Sequence, residues 1–359
     1  MKAALLHQFG VPLSVEDVEL DGPRESELRI RVAASGLCHS DYHIMLGDMP
    51  TPLPAVLGHE VAGHVEAVGD NVPGLKRGDL VVTAFSSFCG QCVECQTGHN
   101  HRCIDKPKGP PREIGSRLRW RGKPVYQLAD IGGFAEELVV HHRSVVKVPE
   151  QLPATAAALL GCGVLTGVGA AINGAKVRPG SKVAVVGCGG VGLNVIQGAK
   201  IAGASEIIAV DIHQSKLDLA RIFGATAGVL AGPDAVAAVT EATNGGVDYA
   251  FEVIGLPAAM HDAFRMLRKH GLLVIVGLAK PGLDLAIPAA AIPFNDIRIM
   301  GSGMGDAPFQ LFVPQLAKFY LNGQLKLNEL VSQQIKLSQI NEGYESVASG
   351  HAARNVIVF

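Results

Sequence analysis

The stretch SKVAVVGCGGVGLNVIQGAKIAGASEIIAVD, residues 181–211, decides how this chain folds. The apolar run KVAVV reads as a buried strand, and it ends in Gly187-x-Gly189-x-x-Gly192 before a helical segment from Val191 to Ala202. A bare GxGxxG occurs by chance in a glycine-rich chain; strand, glycines and helix in succession are more specific. Gly187 permits the tight turn, Gly189 and Gly190 let backbone approach a pyrophosphate, and Gly192 allows the helix to press on the strand. The N–H groups and positive dipole end of that helix, beginning near Val191, then face the phosphates. A second strand, EIIAVD, ends on Asp211, nineteen residues past Gly192. A carboxylate there accepts hydrogen bonds from ribose hydroxyls and repels a 2′-phosphate, so NAD is expected rather than NADP, with Lys216 near the ribose edge. The alternative is a glycine-rich turn beside a solvated aspartate.

Working outward, strands alternate with helices from about 164 to 303: EIIAVD, a helix from Gln214 to Phe223, VDYAFEVIG, a helix from Pro257 to Leu267, and GLLVIVG. That alternation predicts an α/β fold, a doubly wound parallel sheet of the Rossmann type with helices on both faces. The preceding residues read as a β-rich, barrel-like domain of short runs such as LRIRVAAS, VAGHVEAVG and DLVVTAF, cut by Gly, Pro and Asp turns. After Gly301 come a helix from Ala307 to Leu321, the turn-rich QLKLNELVSQQIKL and a last strand, NVIVF, expected to return to the first domain. The expected division is 1–163, with a cysteine lobe at 89–103, then 164–303, then 304–359.

A chain of 359 residues suits two domains. Its 48% hydrophobic and 18% charged residues exclude disorder, and a net charge of −2 without a basic stripe argues against nucleic acid or an anionic membrane as partner. The uncharged run Gln151 to Ala175 raises the question of a membrane span, but Pro153, Asn173 and its glycines make it a poor bilayer helix; it reads as buried backbone near a ligand. The N-terminus lacks the apolar core of a secretion signal, so a cytoplasmic protein is expected.

Seven cysteines, an odd number, favour metal or catalysis over disulfides. Cys89, Cys92, Cys95 and Cys103 have the spacing to close tetrahedrally around one Zn²⁺, a structural site with no open position. Two disulfides or an iron–sulfur cluster are the alternatives; His99 and His101 in the same loop read as solvated. Cys38, His59 and Cys162 supply two thiolates and an imidazole, which leave a second zinc with an open position, the catalytic pattern.

The run Gly58-His59-Glu60-x-x-Gly63-x-Val65-x-x-Val68-Gly69, followed by Gly78-Asp79-x-Val81, resembles the signature of the zinc-containing medium-chain alcohol dehydrogenases. The cysteine lobe, the GCG turn at Cys162, the GCGGVG loop and the RNVIVF strand fall in that family's order, so the resemblance spans essentially the whole chain. It implies a GroES-like first domain, two zinc ions per subunit, NAD as cofactor, and a homodimer or homotetramer acting on small alcohols and aldehydes. It also implies roles. Cys38, His59 and Cys162 would hold the catalytic zinc, with Glu60 the acid beside it and Asp41 the carboxylate orienting the histidine. Ser40 and His43 would relay the alcohol's proton by way of a ribose hydroxyl. His39 and Arg354 would touch the pyrophosphate, Thr166 and Val191 would press the nicotinamide, and backbone at Val276 and Leu278 would hold its carboxamide. Met49, Phe85 and Leu128, with Ala129, would line an apolar pocket, so a hydrophobic primary alcohol, allylic, benzylic or aliphatic, is the expected substrate.

Two departures bear on substrate. Polyol- and threonine-type relatives commonly carry a carboxylate where Cys162 stands, which disfavours those substrates. Glutathione-dependent formaldehyde dehydrogenases share the segment after Cys103, including RGKPVYQ, but the register places Pro107 and Met49 where that chemistry wants charged groups; Arg112, Arg117 or Arg119 in the basic run Lys106 to Arg121 would have to substitute. A physiological aldehyde reductase and a non-enzymatic, metal-stabilised NAD-binding protein are the other readings.

Overall fold

The computed structural model describes every residue except Ser86, 107–116 and 351–352. Contacts divide the chain into two compact units, Met1–Cys162 with Pro308–Phe359, and Gly163–Ala307.

The second unit is a six-stranded sheet in the order Ala227–Leu230, Glu206–Asp211, Lys182–Val186, Val247–Glu252, Leu267–Ile275, Arg298–Gly301. Every pairing is parallel. Numbered along the unit, this is 3-2-1-4-5-6, the order of dinucleotide-binding sheets, and the crevice lies where strands 1 and 4 meet at their carboxyl ends. Val183, Ala184 and Val185 have no exposed surface, which is why the central strand reads as an unbroken apolar run: helices cover both of its faces. The helices Gly190–Ile201 and Gln214–Phe223 fall where the apolar period places them, and Pro257–Arg265 ends two residues short of the expected Leu267, which instead starts a strand. A further pair, the strand Ala227–Leu230 and the helix Ala235–Ala242, carries too weak a pattern to stand out in the sequence. That strand is short, half-exposed and at the sheet edge, where apolar alternation is not required.

The first unit is built of two sheets. The longest strand, Glu27–Gly36, pairs with Glu60–Val68, Glu137–His141 and Arg354–Val358. The tail therefore completes the sheet that begins near the N-terminus, with Val356 opposite Gly36. One correction concerns QLKLNELVSQQIKL: it is more than turns, since Val331–Ile335 runs parallel to Arg354–Val358. Its Ser332, Gln333 and Gln334 are exposed, and an edge strand tolerates the polar side chains that disguise it.

The uncharged run forms short helices such as Ala154–Ala158, and Ala156 through Leu160 are at most 1% exposed. No single helix among the described residues is long and apolar enough to cross a membrane. Within this run Gly161 lies against the chain itself: a Cβ there would stand 1.8 Å from the Thr83 carbonyl oxygen.

Candidate metal centres and nucleotide site

Glu60 opens its strand directly opposite Gly36, the last residue of the longest strand. His59 lies one residue before the first position and Cys38 two residues after the second, so one strand pairing places them side by side. Cys162 arrives next to them because Gly161 presses on Thr83. One donor atom from each of Cys38, His59, Glu60 and Cys162 lies within 4.8 Å of the others.

The histidine is held on its far side. His59 Nδ1 sits 3.2 Å from both oxygens of Asp41, and Asp41 Oδ1 also accepts the Gly58 N–H at 2.9 Å; both side chains are fully buried. A carboxylate only accepts, so an imidazole N–H points at Asp41 from Nδ1, and Nε2 is the nitrogen that faces the cluster, 3.3 Å from Cys162 Sγ. Burial alone would keep His59 neutral, but Asp41 and the Cys38 thiol hold its pKa well above the usual histidine range. Cys38 is drawn well below the ordinary thiol range, chiefly by its hydrogen bond with Cys162 and against the cost of burial, while Cys162 is pushed well above it. Of the two, Cys38 is the one held toward thiolate, the form that binds metal. Glu60 is buried with Arg354 Nε 3.6 Å from its Oε2, and Arg354 itself is only 6% exposed.

The cysteine lobe has a geometry that can be tested. Sulfur atoms are separated by 3.9 Å for Cys89–Cys95, 3.5 Å for Cys92–Cys95 and 3.8 Å for Cys92–Cys103. A tetrahedron with zinc–sulfur bonds of about 2.3 Å has edges of about 3.8 Å, whereas a disulfide needs about 2.05 Å. All four thiols are free, and backbone N–H groups of Gln91, Cys92 and Cys89 donate to the sulfurs at 3.2 to 3.3 Å. The hydrogen bond from the Cys95 backbone draws Cys92 down to about 6, while burial pushes Cys95 up to about 12. Both donor sets, all sulfur in one and sulfur, imidazole and carboxylate in the other, fit zinc. Of the two lobe histidines, His99 is exposed and His101 half-buried, less solvated than expected.

In the second unit Gly187 takes φ +100°, and a Cβ on Gly192 would stand 1.8 Å from the Gly187 carbonyl oxygen, so helix and turn touch only because both are glycine. A Cβ on Gly189 would meet nothing within 4 Å. That residue caps the helix Gly190–Ile201 with no side chain over the free N–H groups, leaving an open face suited to a pyrophosphate. Asp211 closes its strand, 7% exposed, with one oxygen accepting from Cys188 N–H at 2.8 Å and the other from His213 N–H at 3.0 Å. Cys188 is buried and its thiol pushed up to about 12 by that burial, an inert residue.

Thr166, Val191 and Lys216 are half-buried in this unit; Val276 N–H donates to the Glu252 carbonyl at 2.8 Å, and Leu278 is 75% exposed. In the first unit His39 is exposed and Ser40 half-buried, both on the helix His39–Leu46 with Asp41 and His43. Phe85 stands edge-on to the His59 ring at 4.8 Å, directly against the donor cluster. Leu128 is buried in the hydrophobic cluster of Leu57 and Phe134, with Met49 and Ala129 packed on its margin. Of the basic run, Arg117 is buried in an ion pair with Glu27 at 2.6 Å, and Arg119 lies 3.5 Å from Asp21; Pro107 and Arg112 fall outside the described residues. The sequence reading missed Asp48, whose Oδ2 lies 2.9 Å from His43 Nδ1; its signal is the Gly47-Asp48 pair at the end of that helix.

Residues 24–150 match the family described as alcohol dehydrogenase GroES-like domain, and residues 190–319 the family described as zinc-binding dehydrogenase. Among solved structures, an alcohol dehydrogenase zinc-binding domain protein from Burkholderia ambifaria is 38% identical, with TM-score 0.95 over 100% of this chain and 98% of that one. Benzyl alcohol dehydrogenase from Acinetobacter calcoaceticus is 32% identical, with TM-score 0.94 over 100% and 99%. A putative zinc-binding dehydrogenase from Sinorhizobium meliloti, bound to NADP, is 26% identical, with TM-score 0.83 over 100% and 99%. A family match over 24–150 that takes in Cys38, His59 and the four lobe cysteines, a second over 190–319, and likeness along the full length of these structures lead to one conclusion: the chain belongs to the zinc-containing medium-chain alcohol dehydrogenases and is an oxidoreductase.

Proposed function

We propose that this enzyme oxidises a hydrophobic primary alcohol to its aldehyde, reversibly, with hydride passing to NAD⁺ and two zinc ions per chain. The observation that carries the reading is the pair of donor sets: four thiols at tetrahedral spacing in the lobe, and separately Cys38, His59 and Cys162 converging beside Glu60. When bound among these last residues, zinc supplies Lewis acidity that lowers the pKa of an alcohol hydroxyl. The chain does the rest. Asp41 holds His59 in one tautomer, Ser40 takes up the alcohol's proton at Oγ, and His43, with 42% of its side chain exposed, delivers it to solvent.

Asp211 supports NAD over NADP. Two backbone N–H groups fix its carboxylate at the end of the second strand, where its charge repels a 2′-phosphate. His39 and Arg354 are assigned to the pyrophosphate, Thr166 and Val191 to the nicotinamide ring, and backbone at Val276 and Leu278 to its carboxamide. Phe85 against His59 supports an apolar substrate, and one structural neighbour is a benzyl alcohol dehydrogenase. Glutathione dependence gains no support from Arg117 or Arg119, whose partners are Glu27 and Asp21. A homodimer or homotetramer formed through the edge strand Arg298–Gly301, exposed along most of its length, completes the reading.

Metal analysis combined with NAD⁺ reduction on benzyl alcohol, hexanol, ethanol and a polyol tests it. Two zinc ions per chain and the highest kcat/KM on benzyl alcohol or hexanol are expected. One zinc or none, or preference for the polyol, refutes it.

A further inference from the structure

The helix His39–Leu46 ends at Gly47, whose φ of +85° turns the chain sharply. Gly47 N–H donates to the Ile44 carbonyl at 3.0 Å and Asp48 N–H to the His43 carbonyl at 2.9 Å. These two bonds are the Schellman closure, in which the residue after the glycine folds back over the one five positions earlier. That pair of side chains is frequently apolar. Here it is His43 and Asp48, and Nδ1 of the one lies 2.9 Å from Oδ2 of the other. The turn's backbone bonds are made whatever side chain follows Gly47, so the carboxylate is not needed to stop the helix.

The carboxylate selects a tautomer. Because it can only accept, the contact places a proton on Nδ1 and leaves Nε2 as the ring nitrogen able to take one. A second titratable ring near His43 is His39, 6.5 Å away between centroids. We infer that Asp48 is a positioning residue for the proton exit, holding His43 as the Nδ1–H tautomer so that Nε2 is the nitrogen that takes up and releases the proton. The inference rests on His43 being the end of the relay. In balance, Nε2 takes up one proton, the ring becomes imidazolium with Nδ1–H still held by Asp48, and the Nε2 proton passes to water; the hydride leaves separately to NAD⁺.

The test is a double-mutant cycle on the zinc-loaded enzyme, with benzyl alcohol and NAD⁺, between about pH 6 and 9. Asp48→Asn is expected to lower kcat roughly three- to fivefold with KM nearly unchanged, the scale of a partly exposed charge pair. It is expected to add nothing in a His43→Gln background. An equal loss in both backgrounds, or wild-type rates in Asp48→Asn, overturns the inference while leaving the relay intact. Wild-type kcat across the whole pH range in His43→Gln overturns the relay reading itself, and the inference with it. Histidine-selective ¹⁵N NMR of the wild type, assigned by difference from His43→Gln, reads the tautomer without any dependence on the Asp48 variant folding: Nδ1–H is expected, and Nε2–H overturns the inference.

Discussion

Asp41 and His59 form a fully buried carboxylate–imidazole pair, with Nδ1 3.2 Å from both carboxylate oxygens. The pair decides which nitrogen His59 offers to the donor cluster. Asp41→Asn keeps the shape and loses the charge, so the imidazole is free to take the wrong tautomer. Zinc affinity at this centre is expected to fall roughly 10- to 100-fold, the usual cost of losing such a partner. Competition with a chromophoric chelator measures it, and the affinity of the four-cysteine lobe serves as the internal control.

Arg354 and Glu60 are the second buried pair, with Nε 3.6 Å from Oε2. Burial disfavours the charged arginine, yet Glu60 and the thiols around it hold its pKa above the usual range. Removing one partner strands the other charge in the interior. Arg354→Leu is therefore expected to destabilise the fold by roughly 3 kcal/mol, read as a lowered urea midpoint at unchanged slope.

Asp211→Asn tests cofactor choice. The amide still accepts one backbone N–H but no longer repels phosphate, so KM for NADP relative to NAD should improve roughly tenfold, about 1.4 kcal/mol. An unchanged ratio would show that the selectivity lies elsewhere in the site.

Asp79 is one carboxylate that makes the first unit sensitive to acid. Burial raises its pKa, but Lys147 Nζ at 2.6 Å and the Lys76 N–H at 3.0 Å outweigh burial and hold it below the ordinary aspartate value. A carboxylate whose pKa is depressed on folding adds stability above its unfolded pKa, about 3.9, and loses it as the pH falls through the folded value. Lys147→Met raises the folded pKa. Acid unfolding followed by circular dichroism should then begin at a higher pH than in the wild type.

Local features were legible early because their residues are close in the chain. Gly187 to Asp211 is one βα unit, and its glycines mean the same thing in sequence as in space. Cys89 to Cys103 spans a single loop, so spacing alone proposes a tetrahedron, and the sulfur separations agree with it. Where local pattern failed, the reason was exposure: Val331–Ile335 and Ala227–Leu230 are sheet-edge strands that need no apolar alternation. The Asp48–His43 contact is also local, but it depends on a side chain folding back across a glycine turn, which periodicity does not report.

The donor cluster at Cys38, His59 and Cys162 divides the two kinds of information. Once the lobe was counted, three of the seven cysteines remained, and residue chemistry together with the family resemblance singled out Cys38, Cys162 and His59 among the candidates. Only the tertiary structure decided that they meet. Strand register sets Gly36 against Glu60, which brings Cys38 beside His59, and Gly161 can lie against the Thr83 carbonyl because it has no Cβ, which brings in Cys162 from more than a hundred residues away. Chemistry belongs to the side chain, but proximity belongs to backbone hydrogen bonds and close packing between segments that the linear order keeps apart.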